Sequence, residues 1–143
     1  AEDFARSHPG GRLGKRLLVH VRDIMHVQGQ IPRVLPQADI RETILEMTRH
    51  GLGMTAVVDE SDYLLGVFTD GDLRRSFENG RELQGRPIAE LMTTSSHTIA
   101  PDELAVSALN MMQEHSITAL PVVQAGQIVG IIHMHDLLRA GIV

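Results

Sequence analysis

Apolar and polar positions alternate between two periods along this chain, and the changes of period mark its elements. After Asp39, Ile40, Ile44 and Met47 fall at i, i+4 and i+7, an apolar stripe on an otherwise polar stretch, which predicts an amphipathic helix. Gly51 and Gly53 end it. Met54 to Val58 and Leu64 to Phe68 are short apolar, β-rich runs joined by the turn-forming Asp59-Glu60-Ser61-Asp62, and a further helix is predicted to begin near Asp70. Further along, Ala105, Leu109 and Met112 share one face of a helix predicted from Asp102. Strands are predicted near 119–123 and 127–132, and a last helix near 134–140.

The second series copies the first. Val21-Arg22-Asp23-Ile24-Met25 returns as Ile88-Ala89-Glu90-Leu91-Met92, and Gly66-Val67-Phe68-Thr69-Asp70-Gly71-Asp72-Leu73 returns as Gly130-Ile131-Ile132-His133-Met134-His135-Asp136-Leu137. Between them, His50-Gly51-Leu52 matches His115-Ser116-Ile117, and Ala56-Val57-Val58 matches Pro121-Val122-Val123. A long period present only twice describes a pseudo-symmetric pair, since a solenoid needs more copies to bury its core. A unit of roughly 60 residues buries only about 60% of its unfolded surface. The two units are therefore expected to share an interface, the first place to look for a site. The repeats are placed at 21–82 and 87–143, each read as β-α-β-β-α, with Arg81 to Arg86 as a bridge and residues 1–20 as a segment outside the repeat.

Composition narrows the function. A formal charge of −5 supplies no basic field for a nucleic-acid backbone, and 3% aromatic content leaves little for base stacking. With no cysteine there is neither a disulfide nor a thiolate ligand or nucleophile. No apolar run reaches the roughly 20 residues of a membrane span. The chain reads as cytoplasmic, with no nucleic-acid or membrane partner and no cofactor.

The strongest local motif is a strand, then Thr69-Asp70-Gly71-Asp72, then a helix. Thr-x-x-Asp is a capping-box variant, in which the hydroxyl takes an orphan N–H and the acid reaches back. It is also a plausible ligand motif, because a carboxylate beside a helix N-terminus accepts the hydroxyls of a ribose while nearby N–H groups hold a phosphate. In the second copy His133 replaces the threonine while Asp136 remains, so the cap is altered and the acid kept. His133-x-His135 shares one strand face and would chelate a metal only if His97 or His115 converged on it; incidental polar histidines and anion contact are the alternatives, and no metal is assigned. Arg74 and Arg75 are read either as surface ion-pair residues or as phosphate or sugar-carboxylate contacts.

These motifs resemble a tandem pair of CBS domains. The Ile24-Met25 and Leu91-Met92 openings, the Pro121-Val122-Val123 strand and the Gly-x-x-Thr-x-x-Asp ending of the first copy carry the resemblance. It implies an α+β fold of two pseudo-twofold-related β-α-β-β-α units with a nucleotide-binding cleft at their seam. The family's ribose role would fall on Asp72 and Asp136 and its phosphate role on Thr69, with Asp70, Arg74, His133 and His135 as further ligand-binding candidates. Ser7-His8-Pro9-Gly10-Gly11, the Phe68 to Arg75 run and the His133 to Gly141 ending are together similar to the arabinose-5-phosphate isomerases, enzymes with an N-terminal sugar isomerase (SIS) domain that feed the synthesis of Kdo, the acidic sugar of lipopolysaccharide. That resemblance implies that residues 1–20 are the tail of an SIS domain plus linker, that His8 is catalytic only in the parent enzyme, and that this chain alone is inactive. It also implies a regulatory role, with a nucleotide or nucleotide sugar such as CMP-Kdo as effector and homo-oligomers formed through the CBS pairs. The rival expectation is a structural dimerisation module that binds no ligand.

Overall fold

The computed structural model describes residue 14 and residues 16–143. Among them, α1 spans Val21–Ile24, β1 Arg33–Val34, α2 Ile40–His50, β2 Met54–Val58, β3 Leu64–Thr69 and α3 Asp70–Glu78. The second series runs α4 Ala105–His115, β4 Ala119–Gln124, β5 Gln127–His133 and α5 Met134–Arg139. In the first sheet β1 lies parallel to β2 and β2 antiparallel to β3; in the second, β4 pairs antiparallel with β5. Ile99 makes a single parallel bridge to Val122, the remnant of a strand equivalent to β1.

Local chemistry accounts for the helix ends. Asp39 caps α2 by accepting the Glu42 N–H at 2.8 Å, and Gly51, with φ of 68°, closes it in the left-handed region. The predicted stripe is present, with Met47 buried and Ile40 and Ile44 half-buried. The face also holds Thr43, fully buried, whose hydroxyl donates to the Asp39 carbonyl at 2.9 Å. That local bond removes the penalty of burying a hydroxyl.

Each sheet is covered by helices on one side and by the other sheet on the opposite side. Val34, Met47, Val57, Phe68 and Ile88 belong to the helix-side core of the first sheet, and Leu109, Met112, Leu120, Ile132 and Leu137 to that of the second. Leu52, Met54, Val67, Ala119 and Ile131 form a cluster across the seam, as do Ile31, Ala56, Val58 and Ile128. Burial on both faces makes β2 a continuous apolar run rather than an alternating one.

The opening segments of the two repeats change places. Val21 and, from the half-buried flank, Val19, Ile24 and Met25 pack in the core of the second repeat, whereas Ile88, Leu91 and Met92 pack in that of the first. The exchange is reciprocal in its hydrogen bonds. Val21 N–H donates to the Glu103 carbonyl and Arg22 N–H to that of Pro101, just as Ile88 N–H donates to Ala38 and Ala89 N–H to Pro36. His26 and Ile131 exchange both of their backbone bonds, and so do Thr93 and Val67. This pairing also explains why α4 begins at Ala105 and not at the expected Asp102: residues 101–104 are held extended against 19–22, and Ala105 N–H is taken by the Val19 carbonyl at 2.8 Å.

Two strand glycines make room for the exchange. A Cβ on Gly66 would lie 2.7 Å from the Thr93 carbonyl oxygen and 2.8 Å from Met92 Sδ, and one on Gly130 would lie 2.9 Å from the His26 carbonyl oxygen and 2.5 Å from Met25 Sδ. The methionines can turn away, but the carbonyls are fixed in the ladder. Gly66→Ala and Gly130→Ala are each expected to lower unfolding stability by about 1–3 kcal/mol through overpacking, measured by urea denaturation. Equal stability of either variant and wild type would show that the segment does not lie against the glycine.

Candidate functional site

A cleft of about 270 Å³ opens at the seam, between the N-terminal turn of α3 and the segments that lead into β2 and β4. Leu52, Gly53 and Met54 form one wall, and their repeat counterparts Ile117, Thr118 and Ala119 the facing wall. Thr69, Asp70, Gly71, Arg74 and Arg75 complete it. Of the candidates named from sequence, the cleft brings together Thr69, Asp70 and Arg74; Asp72, His133, His135 and Asp136 do not line it. His8 and the Ser7 to Gly11 segment lie outside the described residues.

Both copies of the Thr-x-x-Asp motif form capping boxes. The Asp72 N–H donates to the Thr69 hydroxyl at 3.1 Å, and Asp72 Oδ2 accepts the Thr69 N–H at 3.0 Å. The other oxygen, Oδ1, receives Arg75 at 2.8 Å and the Thr93 hydroxyl at 3.2 Å. In the second copy Asp136 Oδ2 accepts the His133 N–H at 2.8 Å, while His133 Nδ1 accepts the His135 N–H at 3.0 Å. A histidine thus does the work of the missing threonine. Asp136 Oδ1 holds Arg139 and lies 2.9 Å from His26 Nε2, a charge contact off the line of a directed hydrogen bond. The acid kept without its threonine therefore has three partners. Thr93 and His26, each the residue after an opening methionine, were missed in the sequence; their matching positions in the two copies were the available signal.

The two acids differ in exposure. Asp136 is 4% exposed, against 14% for the side chain of Asp72. His97 and His115 stack on each other with ring centroids 3.6 Å apart, so neither joins His133 and His135. Among the described residues no three histidine or carboxylate side chains gather as metal ligands.

His133 is 8% exposed, and burial pushes its pKa below the ordinary imidazole value. The adjacent His135 adds to the depression, Asp136 opposes it, and His26 and Arg139 add a little more. The neutral ring suits the cap, because protonated Nδ1 would face the His135 N–H as a second donor. A folded-state pKa below the unfolded value means stability that is complete above about pH 6.5 and is lost as pH falls through the folded pKa. The melting temperature is expected to fall between about pH 7.5 and about pH 5.5, and His133→Thr, which restores the cap of the first copy, is expected to flatten that decline. Parallel profiles for variant and wild type would contradict this account.

Comparison with known proteins agrees with the geometry. A family model described as the CBS domain matches residues 19–79 and 88–142. Arabinose 5-phosphate isomerase KdsD of Yersinia pestis is 51% identical over 142 residues, which cover 99% of this chain and 43% of that protein. The chain thus spans less than half the length of such relatives. A putative acetoin utilization protein (AcuB) from Vibrio cholerae has a similar structure, with a TM-score of 0.76 and 27% identity over 88% of this chain and 92% of that one. CBSX2, solved in complex with AMP, superposes with a TM-score of 0.75 over 85% of this chain and 95% of that one, at 24% identity. Two matched stretches, two exchanged openings and a shared seam lead to one conclusion: the chain belongs to the CBS domain family, as a tandem pair.

Proposed function

We propose that this chain is the effector-sensing CBS pair of an isomerase that interconverts D-ribulose 5-phosphate and D-arabinose 5-phosphate. The effector is a nucleotide or nucleotide sugar, and CMP-Kdo, the activated form of the sugar that the isomerase helps to supply, is the candidate of choice. The observation that carries the reading is the seam cleft, walled by both repeats and edged by Thr69, Asp70, Arg74 and Arg75. It combines apolar walls for a base or sugar ring with hydroxyl and guanidinium groups for an anionic group, the usual makeup of a small-molecule site. The roughly 50% identity to a KdsD isomerase supports the choice of parent enzyme.

Regulation would follow from linkage. A ligand that contacts both walls stabilises one arrangement of the two repeats, and it shifts an attached catalytic domain only by its difference in affinity between arrangements. The catalytic chemistry, including any role of His8, is assigned to the part of the parent enzyme that precedes this pair. A second copy is the expected partner, with the pairs associating through their exposed helices; Phe77 on α3 and Leu138 on α5 are 68% and 53% exposed. A cytoplasmic location belongs to the same proposal, and among the described residues no helix is long and apolar enough to cross a membrane.

Calorimetric titration of the 143-residue chain with AMP, ATP, CMP and CMP-Kdo tests the reading. At least one of the four is expected to bind below about 1 mM, the affinity equivalent to roughly 4 kcal/mol. If none does, the pair is a dimerisation module and the sensor reading fails.

A further inference from the structure

The seam cleft is walled by both repeats, but its charge comes from one. When Thr69 is matched to His133 and Asp72 to Asp136, Asp70 falls on Met134 and Arg74 on Leu138. The two charged positions that face the cleft in the first copy are thus apolar in the second. Met134 packs against the core of its own repeat, and Leu138 is directed away from any such role by its chemistry.

Availability separates Asp70 from Asp72. Both oxygens of Asp72 are committed, to the Thr69 N–H on one side and to Arg75 and Thr93 on the other, and Arg75 is committed in return. The Asp70 carboxylate and the Arg74 guanidinium have no hydrogen-bond or ion-pair partner among the described residues, and both line the cleft. They stand at i and i+4 on α3 without forming the ion pair that this spacing permits, which is worth only about 0.2–0.5 kcal/mol on a helix surface. A ligand therefore has little to displace. Gly53, with φ of 71°, keeps the space open: a Cβ there would lie 3.1 Å from Asp70 Oδ2.

We infer that Asp70 and Arg74, rather than the two Thr-x-x-Asp acids, select the ligand, and that each chain binds one. Arg74 takes an anionic group, phosphate or carboxylate. Asp70 accepts hydrogen bonds from a vicinal diol of the same molecule. The Thr69 hydroxyl accepts from the Asp72 N–H and keeps its proton for the anion. At the matching place in the second repeat, Met134 and Leu138 offer neither charge, while Asp136 is buried beneath His26 and Arg139.

The inference rests on the effector-binding reading above, and titration separates the two. Wild type, Asp70→Asn, Arg74→Gln and, as a charge control outside the cleft, Arg41→Gln are titrated calorimetrically with CMP, 2′-deoxy-CMP and pyrophosphate, with folding checked by circular dichroism. The expected stoichiometry is one per chain. Arg74→Gln weakens all three probes tenfold or more; Asp70→Asn weakens CMP tenfold or more but leaves 2′-deoxy-CMP and pyrophosphate as tight or tighter; Arg41→Gln changes none of them by more than threefold. Wild-type affinity for CMP in both cleft variants, or two ligands per chain, overturns the inference while leaving the sensor reading intact. Failure of wild type to bind CMP, or any nucleotide of the earlier panel, overturns both.

Discussion

Everything in this molecule depends on the exchange of opening segments between its two repeats. A unit of this size buries too little surface to hold itself together, and here neither unit possesses its own opening. Val21 and Met25 complete the second core, while Ile88 and Met92 complete the first. Their backbone groups close the ladders at Val67 and Ile131 and start the helix at Ala105. The strand glycines at 66 and 130 belong to the same constraint, since each leaves the space that a passing carbonyl occupies. The acids of the Thr-x-x-Asp motifs belong to it as well. Asp72 holds Thr93 and Asp136 contacts His26, both residues of exchanged segments.

That arrangement has a consequence for ligand chemistry. An acid used to fasten the exchanged segment is not free to read a ligand, so recognition passes to neighbours that face the seam without structural duties. In the first repeat those neighbours are Asp70 and Arg74; in the second they are Met134 and Leu138. The architecture is symmetric because the exchange needs both halves, whereas the charge is not, because each turn after a capping box is free to vary. A seam formed by two mutually dependent units is also suited to transmit binding, since a change at the cleft reaches both cores through the same backbone bonds.

Much of this was legible in the sequence, and the rest was hidden for identifiable reasons. The α2 stripe, the Asp39 cap and the β-turn-β runs follow from local periodicity and turn chemistry, and the structure has them where they are expected. The start of α4 was placed too early because nothing local shows that residues 101–104 have a partner far away in the chain. Thr43 and Thr55 are polar by type and wholly buried, a burial that their bonds to the Asp39 and Thr43 carbonyls permit and that periodicity counts against. The exchange itself left one trace: a glycine inside a strand marks a close backbone approach, and Gly66 and Gly130 recur at matching positions. At the site, comparison of the copies pointed to His133 against Thr69, where the structure finds one cap built in two ways. The more telling difference lay beside it, at Asp70 and Arg74, and only the partners given to Asp72 reveal it.

The central claim is that two mutually completed repeats form one cooperative unit. Native-state hydrogen exchange of the amides of Thr93 and Val67 on one side and His26 and Ile131 on the other tests it most directly, because each pair closes one exchanged ladder. The account predicts that all four exchange only through global unfolding, with equal free energies and equal dependence on denaturant. If the amides of one pair exchange through an opening that leaves the other pair protected, the repeats unfold separately and the exchange of openings is not what holds the molecule together.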